Sequence, residues 1–77
     1  MVAALVFIQI GNRTDFDGLH MELHAVPGVK TVHFLAGPTD VIAFVEAADM
    51  KAFMSISGKL RGVKGVMSTD TRFVLPA

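Results

Sequence analysis

The sequence contains no cysteine, tryptophan or tyrosine, and its only aromatic residues are six phenylalanines. The absence of cysteine excludes disulfide bonds and thiolate metal sites. Neither sign of charge predominates, because seven lysine and arginine residues balance seven aspartate and glutamate residues. A neutral chain is poorly suited to neutralising nucleic-acid phosphates, and we therefore expect no direct nucleic-acid binding.

Long hydrophobic runs are also absent, although hydrophobic residues make up 52% of the sequence. No run approaches the ~20 residues of a membrane span, and the first apolar stretch has no basic flank like that of a signal peptide. We expect one cytoplasmic domain over residues 1–77, without membrane association. A domain of this size buries only about 60% of the surface of its unfolded chain, and oligomerisation commonly adds stability to such domains.

Hydrophobic periodicity predicts six elements in the order βαββαβ. Strands are predicted at residues 3–10, 29–36, 40–46 and 66–75, and helices at about 16–26 and 50–61. Thr14 and Asp17 form a weak capping-box pattern before the first helix, and Asp49 is the predicted N-cap of the second. A Gly-Val-Lys triplet at 28–30 recurs at 62–64, each time after a helix. The order predicts an α+β, ferredoxin-like sandwich, in which a four-stranded antiparallel sheet carries two helices on one face. Right-handed crossovers place the first and third strands in its centre.

Both faces of the two central strands are apolar. The first strand presents Val6 and Ile8 to one face and Leu5 and Phe7 to the other. Two helices cover only one face of such a sheet, and an open apolar face is rare on a monomer. The sequence therefore predicts a homodimer packed through this face, with a monomer that exposes it as the alternative.

Residues typical of catalysis or metal binding form no convincing group. His20 and His24 share a helix face but have no obvious third ligand, which favours two surface histidines over a zinc site. Ser55, Ser57 and Ser68 have no His and Asp arrangement around them. We expect no catalytic residue, no metal and no cofactor.

The turn between the second and third strands is a candidate binding site. Gly37 permits close approach of a backbone to a ligand, and Asp40 places a carboxylate at the hairpin tip. Thr69 and Thr71 add hydroxyls from the last strand. An amino acid needs donors for its carboxylate and an acceptor for its ammonium group. Alternatively, Asp40 only stabilises the turn and the threonines are ordinary strand residues.

Several short motifs occur in a characteristic order. They are Pro27-Gly28-Val29, Gly37-Pro38-Thr39-Asp40, Gly62-Val63-x-x-Val66 and Thr69-x-Thr71-x-x-Val74-Leu75. Together they resemble the C-terminal effector-binding (RAM) domain of the Lrp/AsnC transcription regulators. The resemblance implies sheet-to-sheet dimers, higher assembly into rings of dimers, and amino-acid effectors bound between dimers. By position it implies ligand contacts from Gly37, Asp40, Thr69 and Thr71, with Pro38, Thr39 and Ser68 as further lining residues. Thr39 departs from the family, which often has a bulkier residue before the Asp.

Family regulators carry an N-terminal helix-turn-helix domain, whereas the first strand here begins by Ala3. The resemblance therefore implies a stand-alone module that senses or buffers an amino acid, or that joins full-length Lrp/AsnC-type regulators in mixed oligomers. Two alternatives are an assembly protein without a ligand and a small dimeric ferredoxin-like enzyme with Asp40 or His33 as a base. An ACT-type regulatory domain has the same order of elements.

Overall fold

The computed structural model describes residues 1–11, 15–36 and 40–75. Its elements in chain order are β1 Val2–Ile10, α1 Phe16–Ala25, β2 Val29–Phe34, β3 Val41–Ala47, α2 Met50–Arg61 and β4 Val66–Phe73. The predicted βαββαβ order is confirmed. At the majority of the strand ends, the observed bound differs from the predicted one by one or two residues. Neither helix is long and apolar enough, within these residues, to cross a bilayer.

The four strands form one sheet in the order β2-β3-β1-β4, and every neighbouring pair is antiparallel. The predicted central position of β1 and β3 is therefore confirmed. In the middle of β1, Val6 lies opposite Ala43 of β3 and Thr71 of β4. The exposed charged residues of the sheet lie on the outer strands β2 and β4, because each outer strand has one edge in water.

Aspartate side chains begin both helices. The carboxylate of Asp15 accepts a hydrogen bond from the Gly18 N–H at 3.0 Å, and that of Asp49 accepts one from the Ala52 N–H at 2.8 Å. These bonds satisfy N–H groups that have no partner within the helix. The prediction for Asp49 is confirmed. At α1 the observed cap is Asp15, and Thr14 lies outside the described residues.

Two similar turns lead from the helices into β2 and β4. In each, the N–H of the fourth residue donates to the carbonyl of the first, from Val29 to Val26 and from Val66 to Val63. The third residue has a positive φ, 97° at Gly28 and 98° at Gly65. This left-handed conformation favours glycine. The two turns therefore repeat each other, but the predicted alignment of Gly28 with Gly62 is wrong, because Gly28 corresponds to Gly65.

The hydrophobic core lies between the two helices and one face of the sheet. The helices contribute Leu19, Leu23, Phe53 and Leu60, each at most 2% exposed. The sheet contributes Val29 and Val32 of β2 and alternate residues of β1 and β3, namely Ala4, Val6, Ile8, Val41, Ala43, Val45 and Ala47. We call this side of the sheet the helix-covered face.

The opposite side, which we call the open face, carries the other alternate residues of the strands. Its centre is apolar and half-buried, and consists of Ala3, Leu5, Phe7, Ile42 and Phe44. At one side of this centre, the guanidinium of Arg72 lies 5.2 Å from the centroid of the Phe7 ring and 3.3 Å from the Asp70 carboxylate. The predicted apolar character of both faces is confirmed.

Candidate functional site

A pocket of about 360 Å³ opens where β1 and β2 end and where α1 and β3 begin. Its described lining consists of Ile10, Phe16, Phe34, Leu35 and Asp40. Four of these side chains are apolar and the fifth is a carboxylate. The volume is close to the lower limit of small-molecule pockets, which range from roughly 300 to 1,000 Å³. The pocket has the size and composition to hold a small metabolite.

Asp40 is held in the pocket by hydrogen bonds to the ends of two strands. Its Oδ2 accepts a hydrogen bond from the Ile10 N–H at 3.0 Å, at the end of β1. Its carbonyl oxygen accepts another from the Leu35 N–H at 2.8 Å, just beyond β2. An ionised carboxylate has about four acceptor sites. Among the described residues, the printed bond from the Ile10 N–H uses one of these sites, and the others have room for a hydrogen bond from a ligand.

The apolar wall of the pocket is formed mainly by two phenylalanines. Phe16 is the first residue of α1, and its ring meets the Phe34 ring edge to face with 5.7 Å between centroids. Phe34 also lies 5.9 Å from the His20 ring. Although Phe16 and Phe34 contact each other, they remain 52% and 38% exposed. Their accessible surface is available to contact an apolar group in the pocket.

The two histidines of α1 pack against the edge of the sheet. Nε2 of His20 donates to the carbonyl oxygen of Val32 at 3.2 Å, and Nε2 of His24 donates to that of Lys30 at 3.3 Å. The two rings are nearly parallel, with 6.0 Å between centroids. Because β2 is an edge strand, these bonds satisfy carbonyl groups that no neighbouring strand reaches. The two histidines therefore help to hold α1 against the edge of the sheet.

The structure brings only part of the predicted site together. Asp40 lines the pocket, whereas Gly37, Pro38 and Thr39 lie outside the described residues. Thr69 and Thr71 lie on β4, opposite Ile8 and Val6 of β1. Since β1 separates β4 from β3, two strand spacings of ~4.8 Å each lie between the threonines and the side of the sheet that holds Asp40. None of the β4 residues is among the described residues that line the pocket.

The β4 candidates also divide between the two faces. Thr69 and Thr71 share the helix-covered face with Ile8 and Val6, to which they are paired. Ser68 is paired with Gln9 and lies on the open face. Within one chain, Ser68 and the two threonines therefore cannot contact the same small ligand from one side of the sheet.

Sequence reasoning missed the four apolar lining residues. From the sequence, Phe16 is only the start of the predicted helix, and Phe34 and Leu35 are only part of the predicted strand at 29–36. The available signal was the pair of adjacent apolar residues, Phe34 and Leu35, next to the turn that ends in Asp40. Alternation buries only one of two adjacent strand residues, so such a pair at a strand end indicates an apolar surface near the turn.

Metal binding finds no support in the described parts of the chain. Residues 1–11, 15–36 and 40–75 contain no group of three or more His, Cys, Asp or Glu side chains that could hold an ion.

The described residues define the chain as a ferredoxin-like βαββαβ sandwich with a small pocket that includes Leu35 and Asp40. Residues 3–77 match the family model described as the Lrp/AsnC ligand binding domain. The chain belongs to this family.

The curated relatives include an enzyme. The homocitrate synthase of Sulfurisphaera tokodaii is 34% identical to this chain over 74 residues. The match covers 96% of the chain but only 16% of that enzyme. The chain thus spans a small part of the curated relatives it matches.

Solved structures are similar over almost the whole chain. A protein of Thermus thermophilus superposes with a TM-score of 0.87 at 24% identity, covering 100% of this chain and 96% of that one. A transcriptional regulator of Neisseria meningitidis in complex with L-Met gives a TM-score of 0.86 at 25% identity, covering 97% of this chain and 50% of the regulator. These similarities confirm the ferredoxin-like fold, and the regulator supports a regulatory effector-binding module.

Proposed function

We propose that the chain is a non-catalytic regulatory module that binds an amino acid and assembles with other copies through its open face. The observation that carries the proposal is the Asp40 carboxylate, held by the Ile10 N–H at one side of a pocket whose other described lining residues are apolar. In this proposal Asp40 binds the ligand's ammonium group. The family and the L-Met complex of the Neisseria regulator support an amino-acid ligand.

The occurrence of this domain in different proteins supports a sensing role. Its match covers 50% of a transcriptional regulator, 16% of a homocitrate synthase and 96% of the Thermus chain. The regulator and the synthase differ in activity, and what both have in common with this chain is this domain. Ligand binding and assembly can be common to all of them, and we propose that this chain regulates a partner without contacting DNA itself.

The open face supports the proposed assembly. Leu5, Phe7, Ile42 and Phe44 form a contiguous apolar centre, because each lies on the same face of the adjacent strands β1 and β3. Two such faces can pack about 10 Å apart in a sandwich. We propose a two-fold dimer of this kind and further assembly of the dimers. We also propose that the ligand site near Asp40 is completed by residues from one or more copies, namely Gly37, Pro38, Thr39, Ser68, Thr69 and Thr71.

A thermal-shift screen against the twenty amino acids tests ligand binding. A ligand that binds only the folded chain stabilises it by ~2.7 kcal/mol at a concentration of 100 Kd. For a domain of 60–100 residues, each kcal/mol raises the midpoint by roughly 4–8 °C. We expect at least one amino acid to raise the midpoint, and a flat response to all twenty would contradict the proposal.

Two substitutions of Asp40 separate its two roles. Asp40→Asn keeps an acceptor for the Ile10 N–H but removes the charge, whereas Asp40→Ala removes both. Hydrogen bonds to charged groups are worth ~1.5–3 kcal/mol. We therefore expect Asp40→Asn to weaken amino-acid binding by at least about tenfold at nearly unchanged stability. Binding by Asp40→Asn equal to that of the original chain would show that the site is elsewhere.

A second candidate function is assembly without a ligand, possible because the open face needs no pocket to associate. In that case the chain forms oligomers but responds to no amino acid, and it joins full-length Lrp/AsnC-type regulators through the same face. Co-purification of a tagged regulator with this chain, and its loss on Leu5→Asp, would support mixed assembly. A mobility shift of DNA by this chain alone would contradict a role without DNA contact.

A further inference from the structure

The two edges of the sheet differ in whether their outward-facing backbone groups already have partners. At the β2 edge, the carbonyl oxygens of Lys30 and Val32 accept hydrogen bonds from His24 and His20 of α1. At the β4 edge, no further strand follows among the described residues. An edge strand without such cover is a template for pairing with another chain. Of the two described edges, that of β4 is therefore the better suited to strand pairing.

The backbone of β4 directs alternate residues toward this edge. Val74 continues the pairing of β4 with β1, because its N–H donates to the carbonyl oxygen of Ala3 at 2.9 Å. Inward and outward directions alternate along an antiparallel strand, so Thr69, Thr71 and Phe73 direct their N–H and C=O groups away from β1. A second strand at this edge would meet these three residues.

The charged side chains of β4 favour one register for pairing with a second copy. Asp70 and Arg72 are well exposed on the open face, on either side of Thr71. In an antiparallel pair centred on Thr71, Asp70 of each copy lies opposite the partner's Arg72, at positions where side chains are closest. Registers centred on Asp70 or on Arg72 would place like charges opposite each other. Charges of one sign on an edge discourage pairing, whereas these two charges are complementary to their own copy.

We propose that the β4 edges of two copies pair antiparallel about a two-fold axis at Thr71 and thereby link open-face dimers. This inference rests on the proposed open-face dimer and adds the contact between dimers. Three outward-facing residues of each strand exchange about six backbone hydrogen bonds. One such contact is small beside the ~1,200–2,000 Å² of a specific interface. A dimer presents two β4 edges, so dimers can associate through more than one contact at once, whereas single chains cannot.

Charge reversal tests the register by sedimentation. Asp70→Arg or Arg72→Asp alone would place like charges opposite each other, so each variant should form dimers where the original chain forms larger species. An equimolar mixture of the two variants makes every cross-strand pair opposite in sign again and should restore the larger species. The mixture restores no ion pair within either chain, so recovery reports a contact between chains. Larger species in both single variants, or no recovery on mixing, would overturn the inference.

A control pair separates this contact from an effect of net charge. Asp17→Arg and Lys59→Asp make the same changes of charge at exposed residues of α1 and α2. Each of them alone should leave the larger species intact. Loss of the larger species in these variants, as in the β4 variants, would assign the effect to net charge and overturn the register.

Single cysteines locate the two-fold axis, because the chain has no cysteine of its own. Thr71→Cys would place two thiols opposite each other with Cα atoms about 5.5 Å apart, within the range of a disulfide. Thr69→Cys lies on the same strand and is similarly half-buried. It would face the partner's Phe73, with the two thiols roughly 14 Å apart along the strands. Oxidation in air with copper phenanthroline should cross-link Thr71→Cys at least about tenfold faster on a non-reducing gel. Equal or reversed rates would overturn the register.

Sedimentation of the original chain distinguishes failure of the inference from failure of the proposed assembly. A species larger than a dimer, which the β4 charge reversals reduce to a dimer, is the expected result. A dimer at every concentration, which Leu5→Asp dissociates, would overturn the edge contact and leave the open-face dimer intact. A monomer at every concentration would overturn both.

Discussion

The helix-covered face and the open face are built from alternate residues of the same strands, but their side chains differ in size and burial. In β1 the covered side has Ala4, Val6 and Ile8, each at most 1% exposed. The open side has Leu5, which equals Ile8 in size, and Phe7, which is larger, and both are only half-buried. The covered side excludes water by contact with Leu19, Leu23, Phe53 and Leu60 of the helices.

This difference indicates that the two faces depend on different partners. The covered face depends on α1 and α2, so its stability is a property of one chain. The larger apolar groups of the open face lie where neither described helix packs. Their full burial requires a second surface, which we propose to be another copy. Substitutions at adjacent residues of one strand can therefore separate folding from assembly.

The largest effect is expected for a carboxylate on the covered face. Val6 is 1% exposed, and Val6→Asp would bury a charge without a partner at a cost of several kcal/mol. The total stability of a domain of this size is about 4–12 kcal/mol. We expect the variant to be unfolded by circular dichroism at 25 °C.

The matched change one residue earlier should leave the chain folded. Leu5 lies on the open face, opposite Phe44 on one side and Arg72 on the other. The carboxylate of Leu5→Asp would be hydrated and next to a guanidinium, but it would be desolvated in a sheet-to-sheet dimer. Sedimentation should therefore give a folded 8.2 kDa species. A Leu5→Asp chain that sediments like the original would contradict assembly through this face.

A smaller but quantitative contrast is expected for truncation of one isoleucine on each face of the central strands, Ile8 of β1 and Ile42 of β3. Ile8 is fully buried on the covered face, and Ile8→Ala should cost ~2–5 kcal/mol at every protein concentration. Ile42 lies on the open face and is half-buried. The cost of Ile42→Ala should depend on concentration, because dimerisation is linked to stability by mass action.

Urea unfolding across a hundredfold range of protein concentration measures this contrast. The midpoint difference caused by Ile42→Ala should decrease on dilution, as the dimer dissociates, while that caused by Ile8→Ala stays constant. A cost of Ile42→Ala that does not change with dilution would mean that the open face is not an interface in this range.

Most of the fold was predictable because local signals and the global fold agree. Alternation places Val6 and Leu5 on opposite faces, and the Asp49 side chain is a strong helix-start signal. The register of the internal repeat was not predictable from residue identity, since Gly28 resembles both Gly62 and Gly65. Backbone conformation decides between them, because Gly65 has the positive φ that Gly28 also has, whereas Gly62 is in the right-handed region.

The candidate site was less predictable because it depends on distances between elements. Asp40 was identified from its turn, but its bond to Ile10, 30 residues earlier, is visible only in three dimensions. Phe16 has the spacing of a core residue, and its position at the first turn of α1 leaves it 52% exposed at the pocket. Periodicity predicts which way a side chain points but not whether another element covers it.

The smallest effect is expected at the polar border of the open face. Arg72 lies over the Phe7 ring and 3.3 Å from Asp70, and both charged side chains are well exposed, at 70% and 62%. Cation–π contacts at exposed sites contribute ~0.5–1 kcal/mol, and exposed ion pairs about 0–1 kcal/mol. Arg72→Gln should therefore lower stability by about 1 kcal/mol, and Asp70→Asn by less. In ~1 M salt the effect of Asp70→Asn should disappear, because the ion pair is screened. If Arg72→Gln instead costs as much as Ile42→Ala and its cost also decreases on dilution, Arg72 lies inside the proposed contact rather than at its border.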